Sequence, residues 1–369
     1  LVAALFVATT AFVRGLDGTF SGAARDDTAI LLSSVSERDV IRSTVSAGLP
    51  EIVSASVTGI RTIGGEPAIS SEIHMATNLR LGAEARAALN GAVGDERVHQ
   101  AFVRGVTERA FLVHSNVTLT EGRHAHSGEV LVGALVAKQL GVPEDTLAIG
   151  KQLRFEGGTF TIAGRFTAPG STTEAEIWAP LSELRGLVKR DDSSVVFVRM
   201  ESPAAFADLD LFAKRRVDLE LLAIPSNVYY RELVDYLRPM QWLAWAMAVM
   251  IGAAALFSGA NTLNAAVQDR VRELATLRAL GYGATALCTS LAIEAIVLAA
   301  AGGLLGLVLA KAFLAGSAVR IAMSAFELRV DAVGILVAFG GVIAIGILGA
   351  APAAARVLTL PVAAALKEN

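Results

Sequence analysis

The chain has 369 residues, of which 53% are hydrophobic and 18% charged, with a formal net charge of −3. It is too apolar for one soluble domain, and it has no cationic excess of the kind that nucleic-acid binding uses. Cys288 is the single cysteine, so any part facing an oxidising compartment has to fold without disulfides.

The chain opens on LVAALFVATTAFV followed by Arg14. This apolar run is too short to cross a bilayer. It has three readings: a signal-peptide core lacking its basic flank, a buried helix of a soluble domain, or the outer end of a spanning helix whose cytoplasmic start lies before Leu1. The parity of the later spans requires a crossing here, so residues 1–16 are expected to be the outer part of a truncated first transmembrane helix.

Composition then shifts to that of a soluble domain over residues 17–225, a stretch of about 220 residues with the stalk that follows, enough to bury its own core. Strand and helix patterns alternate through it. Residues 29–33 read as a strand, and 37–46 as a helix capped by Ser36 and closed before Gly48. Residues 52–62 alternate in strand fashion, 83–89 read as a short helix or a loop, and 98–105 as a strand leading into 107–111. Residues 129–142 read as a strand running into a helix that ends at Gly141 and Pro143. Strands at 152–155 and 159–166 flank Gly157-Gly158, a hairpin signal. Further strands are expected at 175–178, 195–200 and 219–223, with helices at 181–188 and 203–215. This is a mixed α/β domain, in one lobe or two.

Residues 226–239 read as a stalk helix that continues past Arg238-Pro239 into a second span, 240–266, with Trp242 and Trp245 placed as interfacial aromatics. No charged residue occurs from Met240 to Val267. The next segment, 267–283 (VQDRVRELATLRALGYG with its flanks), is short and charged. Its Arg270, Arg272 and Arg278 mark the cytoplasmic side, which puts the large domain outside. Val271, Leu274, Leu277 and Arg278 share one helical stripe while Arg272, Glu273 and Thr276 lie off it, and Gly281 and Gly283 close the segment. That describes an amphipathic helix along the cytoplasmic surface; the plainer reading is a loop that only sets topology. The third span, 285–311, holds one charged residue before Lys311, Glu294. A carboxylate there is an ion-pair partner for a nearby Arg, a substrate or proton site, or a group reached by interfacial water. Gly302, Gly303 and Gly306 offer close helix packing. An outside loop, 312–331, leads to a fourth span, 332–352, ended by Pro352. Arg356 and Lys367 in the tail, 353–369, again place positive charge inside.

Chemistry-bearing motifs do not emerge. The sequence contains no G-x-x-x-x-G-K-[ST], no G-x-S-x-G and no H-E-x-x-H, which excludes a P-loop and two common hydrolase signatures. His114, His124 and His126, with Glu121 and Glu129, make a metal site conceivable, but RHAHSG reads as a polar turn. Asp191-Asp192 and Asp26-Asp27 read as solvated turns. We expect no catalytic residue, no metal and no cofactor in this chain.

The segment RVRELATLRALGYG, the Glu294-Ala295 pair and GGLLG resemble the R-x-R-E-[IL]-x-x-L-R-A-[LI]-G…E-A…GG-x-x-G pattern of MacB/FtsX-type ABC transporter permeases. The tail PAAARVLTLPVAAALK is similar to their closing pattern. GVTERAFLVHSNVTLTEGR…GEVLVGALVAKQLG…GKQLRFEGGTFTIAGRF resembles their periplasmic core domain. The resemblance covers nearly the whole chain in matching order, apart from the family's cytoplasmic start and much of its first span.

The resemblance implies an α-helical membrane protein of four spans, the first truncated, with a large mixed α/β extracytoplasmic domain between spans 1 and 2. It implies a multi-pass protein of the cytoplasmic (inner) membrane, paired with a second permease copy as homo- or heterodimer and bound to a separate ABC ATP-binding subunit that holds the ATP and Mg. Arg270, Arg272, Glu273, Thr276, Leu277, Arg278 and Gly281 would form the coupling helix, with Leu274 and Leu280 packing it onto the spans. ATP hydrolysis in the partner would move the outside domain through the stalk, to export or extract a lipoprotein, peptide, lipid or drug. A periplasmic adaptor or a cell-wall enzyme is a further partner it admits. The alternative is a membrane-anchored sensor or scaffold with an outside binding domain, including FtsX-like regulation of a cell-wall enzyme. A secondary transporter would need polar groups near the bilayer midplane, which these spans lack apart from Glu294 and a few Ser, Thr and Asn residues.

Overall fold

The computed structural model describes residues 1–82, 98–314, 317–321, 324–328 and 330–359. The expected helix or loop at 83–89, Arg329 and the tail from 360 lie outside the described residues. The chain forms two compact units. One comprises Leu1–Gly15, Leu237–Ser317 and Leu328–Asn369, and the other Leu16–Tyr236 and Ala318–Glu327.

Among the described residues four helices are long and apolar enough to cross a membrane: α1 (Val2–Ser21), α7 (Ser226–Asp269), α9 (Ala284–Leu314) and α10 (Ala332–Thr359). In hydrocarbon every backbone polar group has to be satisfied within the protein, which a continuous helix does by itself. α1 begins at Val2 and runs past residue 16, the expected bound of the first span. It continues to Ser21, and Arg14 is accommodated because its Nε lies 2.6 Å from Asp331 Oδ2. The Oδ1 atom of Asp331 accepts from Gly334 N at 2.8 Å, capping the start of α10. α7 continues through Pro239 for 44 residues, so stalk and second span belong to one helix. α10 likewise passes through Pro352 rather than ending there. A proline removes one intrahelical bond, and Ala350, Ala353 and Val357 are buried on either side of it.

α1 is 44% buried over its apolar window, against 11–17% for the other three helices, and α9 packs along α10. Val7 of α1 clusters with Ala310 of α9 and Ala338 of α10. A Cβ on Gly306 would meet Ala3 Cβ at 2.8 Å, and one on Gly303 would lie 3.4 Å from the Phe339 ring. These two glycines pack as expected. Gly302 does not: nothing lies within 4 Å of it, because it sits about 100° round the helix from Gly303.

The second unit is built on one ten-stranded sheet, ordered β12-β1-β11-β4-β5-β10-β7-β9-β6, with β8 pairing both β4 and β9. The strands are β1 (Thr28–Ser33), β4 (Ile69–Leu81), β5 (His99–Val106), β6 (Thr118–Gly122), β7 (Glu129–Gly133), β8 (Gln152–Phe155), β9 (Gly158–Thr167), β10 (Glu176–Pro180), β11 (Val195–Arg199) and β12 (Leu221–Pro225), besides the two-residue pair β2 (Thr62–Ile63) and β3 (Glu66–Pro67). β4 is the spine. Its residues Ile69 to Glu72 pair with β11, Ile73 to Leu79 with β5, and Arg80 and Leu81 with β8. Two lobes result. The first is the antiparallel layer β12-β1-β11-β4. One of its faces packs on α2 (Leu49–Ser56) and α6 (Phe206–Arg215) through Leu31, Val53, Val196 and Leu209. Its other face takes Phe20 from the end of α1 and Tyr230 and Leu233 from the start of α7.

In the second lobe β4, β5, β10, β7, β9 and β8 pair in sequence and return to β4, a closed ring. Closure removes free strand edges. Its core holds Ile73, Val103, Val132, Phe155, Phe160 and Ile177 with α4 (Val136–Leu140) and α5 (Leu181–Val188). α3 (Ala110–Val113) follows β5. The β8–β9 hairpin turns on Glu156 and Gly157, both at positive φ.

Three local expectations are corrected. Residues 37–46 are turns rather than a helix. Glu37 and Arg38 adopt positive φ, which ends helical propagation, and the Asp39 side chain accepts from Ile41 N at 2.8 Å. The strand expected at 52–62 is instead α2, with Pro50 in its first turn and Leu49, Val53 and Val57 buried at intervals of four. The segment 312–331, expected to be a loop, carries a hairpin, β13 (Ala318–Ile321) and β14 (Ser324–Glu327).

The glycine geometry predicts that Gly306→Leu, by forcing α1 off α9, lowers the melting temperature of the detergent-solubilised protein, at a cost of about 1–3 kcal/mol. Gly302→Leu, made in the same way, leaves the melt unchanged.

Candidate functional site

Between α7 and α9 the chain forms a separate nine-residue helix, α8 (Val271–Ala279). Its end follows from Gly281 at φ 97°: Tyr282 N donates to Leu277 O at 3.1 Å and Gly281 N to Arg278 O at 3.1 Å, a glycine C-cap that satisfies the last carbonyls. One face of α8 is fixed. Ala275 is buried, and Leu274 packs against a cluster of Val267, Leu287, Ala353 and Val357 drawn from α7, α9 and α10. Arg278 lies on the same side, donating from Nη1 to Val357 O at 3.2 Å, a free carbonyl near the end of α10. Arg270 Nη1 stands 3.7 Å from Glu294 Oε1. Glu294 therefore has a cation beside it, as one of its readings anticipated.

The other face is open. Arg272, Glu273, Thr276 and Leu277 are exposed, and Leu280 is 73% exposed. The expectation that Leu280 packs onto the spans is corrected. Six residues at about 100° each carry it about 240° round from Leu274, onto the outward side. Tyr282 is exposed beside it, a signal the sequence reading passed over. The helix thus presents the opposite charges of Arg272 and Glu273 and apolar tips at Leu277 and Leu280, from a base packed on three other helices.

Comparison with known proteins gives two matches to family descriptions. Residues 2–210 match the MacB-like periplasmic core domain, and residues 245–362 match the FtsX-like permease C-terminal region. The chain belongs to the MacB/FtsX-type permeases of ABC transporters. No curated protein matches it. Similar solved structures include the periplasmic region of MacB from Actinobacillus actinomycetemcomitans, at 12% identity and TM-score 0.41, covering 57% of this chain and 94% of that one. The extracellular domain of the noncanonic ABC-type transporter YknZ from Gram-positive bacteria aligns at 12% identity and TM-score 0.38, covering 53% and 99%.

The core domain of this permease also holds a buried ionic cluster that the sequence reading missed. Arg104 on β5 lies between Trp178 and Phe197, its guanidinium carbon 5.9 Å from each ring centroid. It forks onto Glu176 of β10 with two 2.7 Å bonds, and its Nη1 reaches Glu72 of β4 at 2.9 Å. Glu72 also bonds His114 Nε2 at 2.7 Å and His74 Nε2 at 3.2 Å, and Trp178 Nε1 donates to Glu176 at 3.2 Å. Glu72 is fully buried. Burial opposes its ionisation, but the charges of His114 and Arg104 beside it prevail and hold its carboxyl well below the usual range. Burial, with Arg104 nearby, pushes the His74 imidazole down. Removing one member would leave a buried charge uncompensated, the costly case for such pairs.

The conceivable metal cluster is not assembled. His114 turns into the core, His124 packs edge-on to Phe111 at 4.6 Å, and Glu129 pairs with Arg123. Among the described residues no three His, Cys, Asp or Glu side chains are placed to share an ion.

The cluster sets a pH dependence. A carboxylate with a lowered folded pKa contributes stability that is present above its unfolded value and lost as pH falls. A histidine lowered in the fold must be charged on unfolding in mild acid, so it too favours unfolding as pH falls through about 6.5. We predict that the intact permease melts progressively lower from pH 7 to 5, followed by tryptophan fluorescence, with a maximal slope near 1.4 kcal/mol per pH unit from His74. His74→Gln flattens that part of the profile; an unchanged slope in the variant would remove His74 from the account.

Proposed function

We propose that this permease couples ATP hydrolysis in a separate ABC ATP-binding subunit to movement of its core domain on the far side of the cytoplasmic membrane. In this reading α8 docks on the ATP-binding subunit, which holds the ATP and Mg, and a second permease copy completes the assembly. The observation that carries it is the division of α8 into a held face and an open one. Leu274 and Ala275 are packed and Arg278 is bonded to α10, whereas Arg272, Glu273, Thr276, Leu277 and Leu280 face outward. A helix so anchored passes a push on to its neighbours instead of tilting by itself.

The route outward is short. α7 leads from Asp269, one residue before the cap of α8, along 44 residues to Ser226, about 65 Å of helix. At its far end Tyr230 and Leu233 are packed under the first lobe of the core domain, and Ser226 Oγ donates to Ala23 O at 2.6 Å. A nucleotide-driven shift of α8 would thus arrive at the sheet as a displacement of α7. Such a device moves a lipoprotein, peptide, lipid or drug by force applied outside, without a hydrophilic path through the spans. FtsX-like control of a cell-wall enzyme would use the same linkage with a protein partner in place of cargo.

The test is co-purification with candidate ATP-binding subunits from the same genome, followed by ATPase assay. Leu277→Asp with Arg272→Glu is expected to reduce binding of the ATP-binding subunit about tenfold or more, while the permease itself melts like the wild type. Wild-type affinity in this variant, or no binding by any candidate, would return the protein to the class of anchored sensors.

A further inference from the structure

The core domain has two lobes, and they are held by different parts of the chain. The first lobe takes the end of α1 and the start of α7, through Phe20, Tyr230 and Leu233. The ring lobe is gripped by the β13–β14 hairpin, which joins α9 to α10. Its base is closed by Leu328 N donating to Ser317 O at 3.0 Å, and its strands pair Ala318 with Glu327 and Val319 with Phe326. Ala325 is 1% exposed, enclosed with Leu135 before α4 and Ala175 before β10. Beside this contact Lys138 Nζ of α4 lies 2.5 Å from Glu327 Oε1. An exposed ion pair alone is weak; together with a dry apolar plug it fixes both position and register.

We propose that this hairpin is a clasp through which α9 and α10 move the ring lobe, so that the permease drives its two lobes by separate handles, with Lys138 and Glu327 as positioning residues of the second. The clasp rests on the force-coupling reading above. Asp331, four residues past Glu327, caps α10 and pairs with Arg14 of α1. When α7 shifts against α9 and α10, the two lobes shift against each other about the strand they share, β4. The cargo or partner is then gripped or released between moving lobes, not pushed by a rigid domain.

The test uses the full chain in nanodiscs with its ATP-binding subunit. Amide exchange over 317–328 is read without nucleotide, and the distance between spin labels at Val217→Cys and Lys151→Cys, one per lobe, is read with and without a non-hydrolysable ATP analogue in a Cys288→Ala background. The clasp predicts that Glu327→Lys and Lys138→Glu each speed hairpin exchange about threefold or more and abolish the nucleotide-dependent distance change. The double reversal restores both, and Ala325→Asp, which attacks the plug, mimics the single reversals. Unaltered exchange in the single variants, or a distance change that persists in them, overturns the clasp and leaves the force-coupling reading standing. A wild-type protein whose distance ignores nucleotide overturns both, even where exchange shows the hairpin held.

Discussion

The fold of the core domain depends on one buried arginine. Arg104 is the only cation that reaches both Glu72 and Glu176 among the described residues, and those carboxylates belong to strands on either side of it. Through them β4, β5 and β10 are tied at the level where β4 changes partners from β11 to β5. Three charged side chains on three strands are costly to desolvate, and they are worth their cost only with every lone pair answered. His74, His114 and Trp178 supply those answers. The apolar layers around them, Ile73 and Val103 on one side and Phe197 and Val195 on another, are then placed by the strands the cluster holds.

The helical unit obeys a different constraint. Its exterior is as apolar as its interior, so burial of apolar area does not sort its helices; close packing and a few polar bonds do. Gly306 against Ala3, Gly303 against Phe339, Arg14 with Asp331 and Arg278 on the Val357 carbonyl are those devices. Three of these four involve α1 or α8, the two elements that a reading by hydropathy alone would rank lowest. Small residues and single charges specify the arrangement, and leucine fills the rest.

Much of this was legible in the sequence. Long apolar runs fix α7, α9 and α10, because nothing else explains so many uncharged residues in a row. Of the expected stripe Val271, Leu274, Leu277 and Arg278, Leu274 and Arg278 lie on the held face of α8 but Leu277 is exposed; Gly141, Gly157 and Gly281 marked real turns. The failures share a cause. β4, the longest strand among the described residues, went unread because five of its nine buried positions are polar, Ser70, Ser71, Glu72, His74 and Thr77, which breaks up its apolar pattern. Val53, Ala55 and Val57 alternate with Ser54, Ser56 and Thr58 well enough to imitate a strand, although the buried set Leu49, Val53 and Val57 is helical in spacing. Gly302 looked equal to its neighbour Gly303 until a partner helix showed which side was covered. Contacts across sequence, such as Ala325 in the pocket of Leu135 and Ala175, leave no local trace at all.

The cluster around Glu72 also acts as a spelling check on assembly. In a strand, a slip of one residue turns every side chain to the opposite face. For an apolar strand such a slip exchanges one greasy surface for another and can be tolerated for a time. For β4 it would leave Arg104 and Glu176 facing the wrong neighbours and carry Glu72 away from both histidines, an error too expensive to persist. The long strand that joins the two lobes is therefore one that can pair in a single way, and a chain that has paired it has already placed both lobes in register.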